Sequence, residues 1–433
     1  NRSRKSSWQA ANSKGPDSSA RSNKLPSSST GYQGELGDSP LSGDPQGGLT
    51  FGILSADPSG DLQAAALVEQ LKQRHPDWHF VGVGGQHSRR AGVSLWADSS
   101  VWSIVGITEA LTRLPRFILD YWKVRTALLR ARPQMTVMID SPAVHMRLAR
   151  VAQKSGLRCA YYFPPSGWSN NPRRLQSIHA RAEALIPAFA YSAEQYRKLG
   201  LPVAHFGHPL VDLCPPIERR LALERLALPE GHYAALMPGS RTQEIRLLLP
   251  IFLETARRFP GLTWLLPTAN PQLEQQVRRA VPNPPDWLRI LSGSSREVMS
   301  VCQAGLLASG SATLEACLLD MPHLICYRLN PTDWKIAQLL HFFRLFDVPM
   351  FGLPNLVMQA RLVPEFLQEE VTPEKLAAGL RPILEKGSAR DQALAQLARV
   401  RERLGPSGAI DRVARFVEKL ALGQSRDEAL REL

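Results

Sequence analysis

A chain of 433 residues, 44% hydrophobic and 21% charged, is too long for one compact core and suits two α/β domains once a tail is set aside. Lys and Arg number 52 against 39 Asp and Glu, a formal net charge of +13, which suits a polyanionic partner: nucleic acid, a phosphorylated substrate or an anionic membrane surface. No apolar run reaches the roughly 18 residues of a membrane-spanning helix. There are also no zinc-spaced cysteines, RNP-like aromatics or long Lys/Arg blocks, so nucleic acid drops out and phosphate or membrane stays.

Residues 1–48 are rich in Ser, Gly, Pro and Asn and poor in aromatics, so they cannot bury enough apolar area to offset their ordering entropy. A plain disordered tail is the preferred reading. The Ser- and Arg/Lys-rich start, with only Asp17 acidic, also has the flavour of an organelle transit peptide, and the opening Asn1 leaves room for an upstream start. The five cysteines (Cys159, Cys214, Cys302, Cys317, Cys326) are scattered through apolar segments and read as reduced core residues of a cytoplasmic protein.

From Leu49 onward short apolar runs alternate with amphipathic stretches. Leu49–Leu54 predicts a strand, with a helix from about Gly60 to Arg74 and a second strand at Phe80–Val83. A long amphipathic region runs from Gly106 to Arg130, then come strands at Met135–Ile139 and Cys159–Phe163 and further alternation to His205–Phe206. After a Pro-containing stretch, Gly207 to Pro216, a second series predicts strands at His232–Met237, Leu262–Leu266, Leu288–Leu291, Gly305–Ala308 and Leu324–Tyr327. The expected fold is therefore α/β: two Rossmann-like, doubly wound domains, 49–212 and 213–433, facing a cleft, with further helices closing the C-terminal domain.

Five strand–turn–helix junctions carry the chemistry. Ser55-Ala56-Asp57-Pro58-Ser59-Gly60-Asp61 follows the first strand; its small residues allow a tight turn, and Ser59 or Asp61 can cap the next helix. Asp57, Ser59 and Gly60 are candidate cleft residues, with an ordinary strand–helix turn as the bland alternative. At Val83-Gly84-Gly85 the glycines permit a sharp turn or the close approach of a ligand. Asp140 ends the run Val137-Met138-Ile139; apolar neighbours there can raise its pKa into the range of a usable base, and a helix-capping aspartate is the alternative. In Pro238-Gly239-Ser240-Arg241, Gly239 and Ser240 can offer backbone N–H groups to a diphosphate at a helix N-terminus while Arg241 adds a bidentate cation. Ser309-Gly310-Ser311 can meet the same phosphates, and Glu315, one turn inside the helix, can accept from ribose hydroxyls. A surface arginine and an exposed helical glutamate are the bland alternatives for the last two.

Absences narrow the chemistry. Neither a Gly-x-Gly-x-x-Gly fingerprint nor a P-loop is present, which counts against dinucleotide oxidoreductases and ATPases. No Asp-x-Asp pair stands ready to hold a divalent ion against a diphosphate, so no metal and no cofactor is expected, a nucleotide sugar being substrate.

In their order and spacing these residues resemble the lipid-A-disaccharide synthase family, glycosyltransferases of GT-B architecture, from about residue 51 to about 385. The resemblance is carried by Ser59-Gly60-Asp61, Phe80 to Gly85, Val105-Gly106-Ile107 with Glu109, Ile139-Asp140 with Pro142, and Gly207-His208-Pro209-Leu210 with Asp212. It continues through Pro238 to Arg241 with Glu244, Ser309-Gly310 with Ala312 to Glu315, and Leu353-Pro354-Asn355-Leu356. It implies an inverting transfer of an acylated sugar from UDP-2,3-diacylglucosamine to the 6-hydroxyl of 2,3-diacylglucosamine 1-phosphate, giving the lipid A disaccharide and UDP. It makes Asp140 the base, Arg241 the diphosphate ligand, Glu315 and Asn355 nucleotide contacts, and leaves His208 structural or domain-joining.

Departures cluster in the N-terminal half. Ala56-Asp57 replaces Gly-Glu, Ala143 and Val144 replace an acidic and an aromatic residue, and the usual Ser-Pro-Ser-x-Trp-Ala-Trp-Arg becomes Pro164-Pro165-Ser166-Gly167-Trp168-Ser169-Asn170-Asn171. An arginine usually found soon after Pro-Asn-Leu is shifted to Arg361. Ser166 and Trp168 remain candidate acceptor-loop residues, and the donor is safer than the acceptor. Along 104–130, Val105, Ile107, Leu111, Leu114, Phe117 and Ile118 alternate with Arg113, Arg116, Lys123 and Arg125, which fits either adsorption to anionic lipid or a core-facing helix. The resulting expectation is a peripheral enzyme on the inner face of the cytoplasmic membrane, with room for a homodimer. A related UDP-sugar transferase with another acceptor, a nucleotide-sugar epimerase and a non-catalytic lipid- or nucleotide-binding protein are the rival readings.

Overall fold

The computed structural model describes residues 48–99, 107–165, 172–342 and 350–433, with backbone alone at 107–114, 336–337 and 339–342. The first series runs β1 (Thr50–Ser55), α1 (Pro58–Arg74), β2 (His79–Gly84), α2 (Gln86–Ala91), β3 (Ser94–Asp98), α3 (Ile107–Ala131), β4 (Met135–Ile139) and α4 (Pro142–Lys154). It continues through β5 (Cys159–Tyr162), α5 (Pro172–His179), β6 (Ala184–Ile186) and α6 (Ala190–Lys198), and α7 (Leu210–Leu213) and α8 (Arg219–Leu226) lead onward. The second series is β7 (Tyr233–Met237), α9 (Thr242–Ala256), β8 (Thr263–Thr268), α10 (Pro271–Ala280), β9 (Leu288–Ser292), α11 (Ser295–Val301), β10 (Ala304–Ala308), α12 (Ala312–Leu318), β11 (His323–Tyr327), α13 (Pro331–Phe342), α14 (Leu353–Met358) and β12 (Glu365–Leu367). Helices α15 (Pro373–Leu384), α16 (Ser388–Leu404), α17 (Ala409–Ala421) and α18 (Arg426–Arg431) close the chain.

The strands form two parallel six-stranded sheets, β3-β2-β1-β4-β5-β6 and β12-β11-β10-β7-β8-β9. Counted from its own first strand, each sheet has the order 3-2-1-4-5-6, the doubly wound arrangement expected. The inner strands β4, β7 and β10 are buried along their whole length, as a sheet covered by helices on both faces requires, and they read in sequence as near-continuous apolar runs, Thr136 being the one polar side chain in β4. Residues 201–208 form no strand: Ala204 N–H reaches the Leu185 carbonyl at 2.9 Å, and His205–Phe206 continue as an irregular link.

The last two helices return to the first sheet. Val413, Phe416, Val417 and Leu420 of α17 and Ala429 of α18 belong to the core built on β1, β2 and β4. Arg74 and His75 at the end of α1 pair with Glu418 at 3.0 and 2.7 Å. A division of the chain at residue 212 therefore describes the two sheets but not α17 and α18. Two connections run side by side between the halves: a Cβ on Gly405 would stand 3.2 Å from Gly207 Cα, so both sites need glycine, and both adopt left-handed backbone (φ +95° each). Asp212 fastens the return, its carboxylate accepting from Gly408 N–H at 2.5 Å and Ile410 N–H at 2.8 Å. His208 donates its backbone N–H to the Leu404 carbonyl (2.8 Å), its ring takes Leu210 N–H at 3.1 Å, and burial pushes its pKa down to about 3, so it is a neutral joint.

Candidate functional site

Each sheet reverses direction between its first and fourth strands, and loops leaving that point splay apart to leave a crevice at the strands' carboxyl ends. In the first sheet the reversal lies between β1 and β4, where Ser55 is register partner to Ile139; Asp140 follows Ile139 directly, and Asp57 lies two residues beyond Ser55. In the second it lies between β7 and β10, with Met237 opposite Leu307, so Pro238–Arg241 and Ser309–Ser311 emerge side by side. Four of the motifs singled out in sequence thus occupy the two reversal points.

Asp57 is the N-cap of α1, accepting from Gly60 N–H at 2.5 Å, so the capping role expected of Ser59 or Asp61 falls to Asp57, while Ser59 is exposed on the first turn. Asp61 is buried and holds the next helix instead: its carboxylate accepts from Gly85 N–H (2.6 Å), His87 N–H (2.9 Å) and Ser88 N–H (3.1 Å) at the start of α2. A Cβ on Gly85 would lie 2.8 Å from that carboxylate, so the Gly84-Gly85 pair makes room for Asp61 rather than for a ligand.

Asp140 does not cap α4; Ser141 holds the N-cap position and makes no side-chain cap bond. The alternative of a helix-capping aspartate is thereby removed. Both residues take left-handed backbone, φ 52° and 47°, which side chains other than glycine rarely adopt and which recurs where a functional group must be aimed. Asp140 keeps an exposed surface, yet burial pushes its carboxyl pKa up to about 6, helped by the negative Asp57 and opposed by the Ser141 backbone N–H. Solvent contact and desolvation coexist at Asp140, and a carboxylate with such a pKa is ionised and still basic at neutral pH.

In the second sheet Arg241 is the N-cap of α9, so its guanidinium stands at the positive end of a 15-residue helix. Glu244 folds back to accept from Arg241 at 3.0 Å and from Ser240 N–H at 3.0 Å. The Ser240 amide, expected to face a diphosphate, is thus engaged within the loop, and Gly239 (φ +116°) is required because a Cβ would collide with Glu244 at 2.1 Å. Across the reversal, Ser309 Oγ donates to the Phe351 carbonyl at 2.6 Å and Ser311 is the N-cap of α12. Gly310 has no atom within 4 Å of a would-be Cβ, leaving its backbone open to close approach.

Glu315 is no exposed helical glutamate: it lies half-buried and pairs with Arg296 Nε at 3.3 Å. Burial raises its pKa, and the arginine pulls the other way. Arg296 carries no motif and was not legible from sequence. Asn355 has a different part from the nucleotide contact expected of it. It is fully buried; its amide donates to the Val363 carbonyl (2.8 Å) and Glu365 (2.7 Å), and its oxygen accepts from Leu362 and Val363 N–H, both at 2.8 Å. With both donors and two acceptor positions used, it fixes the loop entering β12.

Helix α3 divides its apolar residues. Phe117 and Tyr121 pack on the core with Val124 and Leu128, so Phe117 leaves the proposed membrane face. Ile118, Leu119 and Trp122 are 46%, 70% and 54% exposed, and Arg125 lies 5.1 Å over the Trp122 ring. Val105, Ser166, Trp168 and the side chains of Ile107, Leu111 and Leu114 lie outside the described residues. Among the described residues no three His, Cys, Asp or Glu side chains gather to hold a metal ion, and no helix is long and apolar enough to cross a membrane.

The family model for lipid-A-disaccharide synthetase matches residues 52–411. Lipid-A-disaccharide synthases from Pseudomonas aeruginosa and Azotobacter vinelandii are 35% and 34% identical over 382 and 388 residues, each alignment covering 86% of this chain and 99% of the relative. That of Geobacter metallireducens is 33% identical over 380 residues, with 86% and 97% covered. Among solved structures, UDP-GlcNAc 2-epimerase from Neisseria meningitidis bound to UDP-GlcNAc superposes with a TM-score of 0.57 at 11% identity, covering 86% of this chain and 99% of that one. The calicheamicin glycosyltransferase CalG4 gives 0.54 at 14%, covering 87% and 98%. At such identities these two share the fold alone.

Proposed function

The chain belongs to the lipid-A-disaccharide synthase family and is a glycosyltransferase; from that premise we propose that it joins UDP-2,3-diacylglucosamine to the 6-hydroxyl of 2,3-diacylglucosamine 1-phosphate, with inversion. In this reading Asp140 takes the proton of the 6-hydroxyl as its oxygen attacks the anomeric carbon of the donor. The bond from that carbon to the diphosphate breaks, UDP leaves with the electron pair, and the proton stays on Asp140. Arg241, the N-terminus of α9 and the open backbone at Gly310 stabilise the departing diphosphate without a metal ion, and Glu315 receives the ribose. Because Glu244 already holds Arg241 and the Ser240 amide, the diphosphate meets the remaining guanidinium donors.

The observation that carries the reading is the pairing of a desolvated carboxylate at one reversal point with a cation and open loops at the other. The exposed Ile118, Leu119 and Trp122, beside Arg116, Lys123 and Arg125, support a second part of the proposal, contact with the anionic inner face of the cytoplasmic membrane where acylated substrates reside. The test is incubation with both lipid substrates and analysis for disaccharide 1-phosphate and UDP. Product that appears only with both substrates supports the assignment; free sugar or epimer released without acceptor would favour a nucleotide-sugar epimerase, and transfer to another acceptor would move the assignment to a related transferase.

A further inference from the structure

The left-handed turn at Asp140 and Ser141 needs something to hold it, since two successive non-glycine residues there are conformationally costly. The backbone N–H of Asp140 continues the sheet, donating to the Tyr162 carbonyl at 3.0 Å. Its carbonyl is turned instead toward two side chains from different elements. His145 Nδ1, one turn into α4, lies 2.7 Å away, and Tyr161 Oη, on β5, also 2.7 Å away. Both side chains are buried, with their rings edge to face at 6.3 Å.

Burial pushes the pKa of His145 down to about 4 against the pull of the Asp140 and Ile139 carbonyls, so the ring is neutral and its Nδ1 proton is the one donated. Nε2 has no hydrogen-bond partner among the described residues, an orphaned acceptor that an apolar side chain would avoid. What the imidazole supplies here in exchange is the bond to Asp140. Tyr161 supplies the second donor from the sheet side.

We propose that His145 and Tyr161 are positioning residues whose two hydrogen bonds, converging on the Asp140 carbonyl, lock the left-handed turn and thereby aim the Asp140 carboxyl at its substrate. The proposal rests on the assignment of Asp140 as the base, and its test separates the two. Turnover, UDP affinity and thermal stability are measured for Tyr161→Phe, His145→Leu and His145→Asn, alone and combined with Asp140→Asn. Tyr161→Phe removes a single oxygen and keeps the ring, so it stays folded; asparagine can place an amide donor where Nδ1 stood.

In the native background Tyr161→Phe and His145→Leu each lower turnover about tenfold or more, as small misplacements of a reacting group do, with UDP affinity unchanged and His145→Asn close to native. In the Asp140→Asn background the same changes produce no further loss, because there is no carboxylate left to aim. Equal losses in both backgrounds would reduce the pair to general structural support and overturn the proposal. Near-native turnover in both single variants while Asp140→Asn is crippled would do the same and leave the base assignment standing. Near-native turnover in Asp140→Asn alone would remove the base, and the positioning role with it.

Discussion

The two reversal points have the same topology and opposite electrostatics. Behind β1 and β4, burial leaves the charge on Asp140 costly and the negative Asp57 adds to that cost, so that the Asp140 pKa is pushed up to about 6. Behind β7 and β10, each acidic side chain has an arginine: Glu244 with Arg241 and Glu315 with Arg296. A strained, poorly compensated carboxylate suits proton transfer, whereas arginines held by carboxylates are fixed in place to receive an anion. In the proposed reaction one scaffold, used twice, supplies a base from one sheet and a diphosphate grip from the other, and the difference lies in a handful of loop residues rather than in the fold.

Substitutions can break that contrast one side at a time. The largest effect is expected from Asp140→Asn: turnover falls about a hundredfold to ten-thousandfold, the span of general-base catalysis, in a steady-state transfer assay. Arg241→Ala comes next, weakening UDP binding by about 2 kcal/mol, the scale of a lost charge-assisted hydrogen bond. Arg296→Met leaves Glu315 half-buried without its partner; a loss of about 1 kcal/mol is expected in UDP affinity or in chemical denaturation.

A pH profile sharpens the same comparison. Only the ionised form of Asp140 accepts a proton, so turnover should rise with pH up to about 6 and level off above it. Asp57→Asn removes a negative neighbour and should move that limb to lower pH, though only partly, because burial is the larger cause of the shift. The smallest effect belongs to Trp122→Ser on α3: sedimentation with anionic vesicles should decline while transfer between detergent-dispersed substrates is unchanged.

Much of this layout was legible in the chain. Inner strands such as Met135–Ile139 are buried on both faces and read as apolar runs, and the turns that follow them carry small, polar residues at the reversal points. The edge strands β3 and β12 were not legible: Ser94–Asp98 and Glu365–Leu367 are short, partly exposed and mixed in character, so neither gives a continuous run. Side-chain direction was the other blind spot. The family resemblance makes Asn355 a nucleotide contact, but its amide turns inward to bind Glu365, and only three-dimensional packing decides that. The return of α17 to the first sheet is likewise a long-range contact; its amphipathic pattern announces a buried face without naming the sheet that covers it.

Isothermal titration of UDP into the unmodified, Asp140→Asn and Arg241→Ala proteins tests the division of labour most directly. Tight uptake by the first two and at least tenfold weaker uptake by the third is the predicted result. Failure of the unmodified protein to take up UDP, with or without added magnesium, or equal losses in the two variants, would contradict it.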